Sequence, residues 1–152
     1  MTKTEETELL AAPKQVIKQL NCSPPGSQLS RTYQLRDGAG REYRLFLRRN
    51  GTFQENFSVG LDLVFTGGEL PLVRLNGKHG ATIENPHHAG YHSHHPKWVG
   101  EDRPGRKLSE VEGETRYASM EEALTVVVND CTIKGMEAFF PALGQGELGL
   151  EF

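Results

Sequence analysis

Five of the chain's six histidines fall within ENPHHAGYHSHHPKW, residues 84–98. Pro86, Gly90 and Pro96 interrupt the segment too often for a continuous helix, so His88 and His92 cannot rely on the i, i+4 alignment of a helical face. If Tyr91 to His95 is extended, His92 and His94 point to one side while Tyr91, Ser93 and His95 point to the other. Two imidazoles on one side can ligate a metal ion. They can equally divide acid and base work near neutrality, because a free imidazole titrates at about 6.5. The metal version is a zinc ion held by His92, His94 and a further histidine such as His88.

The metal-free version suits RNA. RNA brings its own nucleophile, the 2'-hydroxyl, so cleavage needs a base, an acid and a cation to stabilise charge on the phosphorane. His92 and His94 are the expected acid–base pair, with His79 or His88 assisting and Arg74 and Lys97 on the phosphate. Arg44 and Arg48 extend the cationic surface, and Tyr91 lies where its ring can stack an unpaired base. Trp98 is better explained as a loop anchor.

These residues need a scaffold. Leu9, Leu10, Val16, Ile17 and Leu20 recur at helical spacing and predict a helical segment over residues 1–20, broken near Pro13. After NCSPPGSQ the period changes to two. Tyr33 and Leu35, the turn DGAG, then Tyr43, Leu45 and Leu47 alternating with Arg44, Phe46 and Arg48 predict a β-hairpin with arginines on its outer face. Asn50-Gly51 turns the chain into Phe57, Val59, Leu61, Leu63 and Phe65, and TGGE leads into LPLVRLN, so residues 29–76 form an antiparallel meander. Residues 77–110 lack regular patterning and read as a long His-rich loop, a length that favours function. Val111 to Tyr117 suggests a strand. SMEE is a capping box opening a helix over residues 119–134, and a Gly-rich tail with Phe139 and Phe140 fills 135–152. The expectation is one α+β domain: an antiparallel meander sheet covered on one face by an N-terminal and a C-terminal helix, with the His-rich loop at one edge.

Composition narrows the partners. At 152 residues, with 36% hydrophobic and 24% charged side chains, the chain can build one core. No run of about 18 apolar residues occurs and the N-terminus has early acids, so the chain reads as a cytoplasmic protein without membrane association. Residues 31–107 carry 12 Lys/Arg against 8 Asp/Glu, whereas the rest of the chain carries 5 against 12. A basic, His-rich centre suits a polyanion. Cys22 and Cys131 form no C-x-x-C pair, and neither a G-x-S-x-G elbow nor a P-loop is present. Gly144 to Gly149 fits G-x-G-x-x-G, but only three residues follow it, too few for the helix that a dinucleotide site requires.

Two resemblances bear on these residues. Tyr91-His92-Ser93-His94 resembles the H-S-H-P core of the JAMM zinc isopeptidases. It departs from that pattern because His95 precedes Pro96 and because the later Ser109-Glu110-Val111-Glu112 ends in Glu where the family has Asp. The second covers residues 7–133: RTYQLRDGAGREYRLFLRR, LVRLNG, the loop with HH and H-x-H, and SMEEAL in that order resemble the TumE-type toxins of bacterial toxin–antitoxin modules and related small domains. That likeness implies an active site lined by Arg74, Asn76, His79, Asn85, His92 and His94. It further implies a toxin acting on RNA or the translation machinery, and a cognate antitoxin as partner; the RNA chemistry itself requires no cofactor. EDRPGRKLSE, residues 101–110, has no counterpart in the pattern. A non-enzymatic module that binds protein or nucleic acid through the basic sheet face is the remaining alternative.

Overall fold

The computed structural model describes residues 1–22, 28–78 and 90–140. The chain opens with helix α1, Lys3–Ala11, started by a capping box in which the Thr2 hydroxyl accepts from the Glu5 amide at 3.1 Å and the Thr2 amide donates to the Glu5 carboxylate at 2.9 Å. Ala12, preceding Pro13, is extended, as the proline ring demands. The predicted helix goes no further. Lys14–Cys22 is strand β1, whose register with its neighbour slips between Val16 and Lys18 and again between Gln19 and Asn21. Each bulge inserts an unpaired residue, Ile17 and Leu20, and both remain exposed. Two bulges destroy the period of two and leave a spacing that imitates a helix.

The meander follows as expected: β2 (Gln28–Asp37), β3 (Glu42–Asn50), β4 (Phe57–Phe65) and β5 (Gly68–Asn76). Asp37 sets the β2–β3 turn. Its carboxylate accepts from the amides of Ala39 and Arg41 and from the Tyr43 hydroxyl at 2.7 Å, and Gly40 supplies the positive φ of 82°. Burial opposes the Asp37 charge, yet those donors and the Arg41 guanidinium outweigh it and hold the carboxyl below its ordinary range.

Two further strands follow, the first within the region expected to be a loop and the second at the start of the strand expected over Val111 to Tyr117. His92–His95 is β6, paired antiparallel with β5, and Glu110–Gly113 is β7, paired antiparallel with β6. Four histidine-segment residues are therefore strand, not loop. Helix α2, Met120–Asp130, is capped by the Ser119 hydroxyl, which accepts from the Glu122 amide at 3.1 Å. It ends four residues before the predicted boundary, because Thr132 takes a positive φ of 53° and Ile133–Lys134 form β8, parallel to the start of β1. A single 3-10 turn follows at Met136–Ala138.

The result is one eight-stranded sheet, ordered β7-β6-β5-β4-β3-β2-β1-β8, antiparallel except at β1–β8. Met120, Ala123, Leu124 and Val127 of α2 are buried, at helical spacing, against β3, β4 and β5. Leu45, Leu47, Val59, Leu61 and Leu75 meet them from the sheet and are essentially inaccessible. Burying each such side chain contributes roughly 1.5–3 kcal/mol. No helix among the described residues is long and apolar enough to cross a membrane.

Candidate functional site on the open face of the sheet

Strand alternation decides what the second face carries. Because Tyr43, Leu45 and Leu47 point into the core, Arg44, Phe46 and Arg48 point away from it. Register carries this pattern across the sheet. One row runs Thr32, Phe46, Gly60, Arg74, His94 and the next runs Ser30, Arg48, Ser58, Asn76, His92. Arg74 and His94 are therefore direct partners on neighbouring strands, as are Asn76 and His92.

Phe46 lies flat across Gly60. A methyl group on Gly60 would stand 2.3 Å from the ring, so only glycine leaves the ring its place. Two guanidiniums flank that ring, Arg48 at 4.7 Å and Arg74 at 5.3 Å from its centroid. The cations are thereby held close together on one aromatic ring, with the Asp62 carboxyl lining the same cleft. Burial and the adjacent Arg48 lower the Arg74 pKa from its ordinary value, with Asp62 acting in the opposite sense. The Arg74 Nε and Asp62 Oδ1 atoms are buried and lack a hydrogen-bond partner among the described residues. Such groups call for a polar ligand or water.

Arg74 lines three adjoining clefts. One of about 380 Å³ lies between Arg74 and His94, with Pro71, Lys107 and Leu108. A second, of about 280 Å³, includes Phe46, Arg48, Asp62 and Arg74. The third, of about 310 Å³, is rimmed by Arg48, Arg49, Asn56, Ser58 and Arg74. Asp62 and Glu69 are the acidic residues lining the second of these clefts. Burial, then the charge and hydrogen bond of Glu69, push the Asp62 carboxyl up to about 6, while Arg74 and Arg48 oppose the shift. Arg44 is less available, being paired with Glu69 at 2.6 Å.

His92 occupies a different situation from His94. Its Nδ1 lies 2.8 Å from the Gly90 carbonyl, which can only accept, so Nδ1 carries the proton. Its Nε2 lies 3.4 Å from the Asn76 amide nitrogen, and the Asn76 oxygen accepts from the Ser58 hydroxyl at 2.8 Å. The Tyr117 hydroxyl reaches the backbone carbonyls of Asn76 and His92 at 2.8 and 2.9 Å, fastening β6 to β5 from the core side. His92 is 1% exposed and its ring centroid stands 5.0 Å from that of His94. The two imidazoles expected to act as a pair are thus placed differently: His94 lines the cleft and His92 is buried behind it.

Comparison with family models, with curated proteins and with solved structures finds no match for this chain. The site must be read from its own chemistry.

The remaining sequence expectations divide. Arg44, Arg48, Arg74, Asn76, His92 and His94 share the open face; His79, Asn85 and His88 lie outside the described residues. Tyr91 is on the core side, packed with Phe57 and Tyr117 at centroid distances of 6.1 and 5.8 Å, and its hydroxyl donates to the Ala118 carbonyl. It cannot stack a base beside His94. Lys97 is exposed beyond β6 and lines none of the three clefts; Lys107 takes the cationic position beside His94. The segment EDRPGRKLSE explains why. Arg103 forms a buried pair with Glu6 of α1 at 3.1 Å and donates to the Pro71 carbonyl at 2.7 Å, folding this loop back beside β5. Phe46, Gly60 and Asp62 were missed, although their parity with Leu45 and Leu61 already placed them on the face of Arg44 and Arg48.

Proposed function

We propose that the open sheet face binds the phosphodiester backbone of RNA and that the chain is a metal-independent ribonuclease. The observation that carries this reading is the pairing of His94 with Arg74 across β5 and β6, at a cleft they share with Lys107. Arg74 and Arg48 hold the phosphate and stabilise the charge that develops on it. His94 takes the proton from the 2'-hydroxyl as its oxygen attacks phosphorus, and the P–O5' bond breaks to leave a 2',3'-cyclic phosphate. The departing 5'-oxygen takes a proton from Asp62, whose raised pKa keeps a protonated fraction near neutrality. His92 positions His94 instead of touching substrate.

The likeness to TumE-type toxins extends the reading: the chain is the toxin of a toxin–antitoxin module, and a cognate antitoxin covers the basic face until it is released. A zinc hydrolase built on His92 and His94, with His88, is the rival chemistry, and a non-catalytic module is the rival class.

Cleavage of a labelled RNA in the presence of EDTA tests the proposal. Activity should persist, and His94→Ala and Arg74→Ala should each lower it by about 100-fold or more, the typical worth of a positioned acid–base group and of a charge-stabilising donor respectively. Activity abolished by EDTA and restored by zinc supports the hydrolase, while binding without cleavage in the unaltered protein supports the module.

A further inference from the structure

The core-side surface of β6 carries a second group of donors that the proposed ribonuclease does not use. His95 projects opposite to His94, towards the carboxylates of Glu112 on β7 and Glu114 just beyond it. The three ligand atoms lie within 4.8 Å of one another, and His95 Nε2 stands 3.7 Å from the Glu112 Oε2. Ligands about 2.0–2.2 Å from a tetrahedral ion are separated by roughly 3.4 Å, so the group needs to contract by little more than one ångström to enclose one.

We propose that His95, Glu112 and Glu114 bind a divalent transition ion of the zinc class. One imidazole with two carboxylates is a donor set that such ions accept and that calcium or magnesium, which prefer oxygen alone, favour less. Two features prepare the site. Glu114 is fixed by the Arg116 guanidinium, at 3.0 Å from Nε to Oε2 and 2.9 Å from Nη2 to Oε1, which leaves further carboxylate lone pairs free for a metal. The inaccessible Ser93 hydroxyl contacts His95 Nε2 at 2.8 Å and also hydrogen-bonds Glu114. It can turn wholly to Glu114 when the imidazole nitrogen takes the ion, so no buried donor is stranded. Three protein ligands leave a fourth position open, and Glu112, 73% exposed, places that position at the solvent edge of the sheet.

Equilibrium dialysis of the full chain against Zn²⁺ tests this, with Co²⁺ absorption as a report on four-coordinate geometry. One ion should bind per chain. His95→Ala and Glu112→Gln should each weaken binding by at least the ~10–100-fold typical of disturbing an outer-shell partner. His94→Ala should leave it unchanged. Glu112→Gln alters an exposed side chain, so an unchanged melting curve confirms that its loss of metal is not unfolding. Absence of saturable binding overturns the proposal. So does binding that survives either substitution, or binding lost in His94→Ala.

Discussion

At the scale of single residues, the open face brings two cations together and places a titrating acid beside them. Arg48 and Arg74 share one aromatic ring, which is neutral, and Asp62 is a nearby charge that offsets their mutual repulsion. In the proposed reaction Asp62 would set both charge and proton supply. Its folded pKa of about 6 lies above the ordinary carboxyl value, so the folded state binds the extra proton between roughly pH 4 and 6. The associated stability is fully present below about pH 4 and is lost as pH rises through 6. Asp62→Asn should stabilise the protein by about 1–2 kcal/mol at pH 7.5, with no gain at pH 4. Cleavage, which needs the protonated acid, should decline above pH 6 in the unaltered protein, and Asp62→Asn should be slow with that limb removed. Denaturant unfolding and rate profiles across pH 4–8 check both. A variant that keeps the same declining limb removes Asp62 from the chemistry.

At the scale of elements, legibility followed periodicity. β2 to β5 were readable because each buries one face only, so Leu45, Leu47, Val59 and Leu61 alternate with polar neighbours. α2 was readable from its Ser119 cap and the spacing of Met120, Ala123, Leu124 and Val127. β1 was not, because bulges at Ile17 and Leu20 broke its alternation. β6 was hidden for another reason: its inward residues, Ser93 and His95, are polar, since at the sheet edge they meet Glu112 and Glu114 instead of the apolar core. The shared side of His92 and His94 followed from extended spacing, but the burial of His92 behind a half-buried His94 depended on Gly90, Asn76 and Ser58, which no local pattern connects.

The loop over residues 99–109 is the element that joins distant parts. Arg103 and Glu6 are both nearly inaccessible, and burial raises the Glu6 pKa despite the guanidinium beside it. Arg103→Ala would strand that carboxylate and free the Pro71 carbonyl. Unfolding should become easier by about 3–5 kcal/mol, the usual cost of breaking a buried pair on one side. Arg103→Lys, which keeps charge but loses the fork, should recover only part. Denaturant titration reads the loss, and a change below about 1 kcal/mol would mean that the pair contributes little to anchoring the loop.

At the scale of the whole molecule, the sheet separates two faces of different composition. Its core side is closed by α2 and by the aromatic cluster of Phe57, Tyr91 and Tyr117. Its other side presents Arg48, Arg74, Lys107 and His94 around clefts of about 280 to 380 Å³. The net charge of -3 conceals this concentration, because the acidic excess lies in the terminal parts of the sequence. RNA binding should consequently weaken steeply with salt even though the protein is acidic overall. The most direct measurement is amide and side-chain NMR during titration with a short, cleavage-resistant RNA oligonucleotide. The account predicts saturable shifts at Phe46, Ser58, Arg74 and His94 with little change along α2. Shifts confined to α2 and the β7 edge, or no saturation at all at low salt, would contradict it.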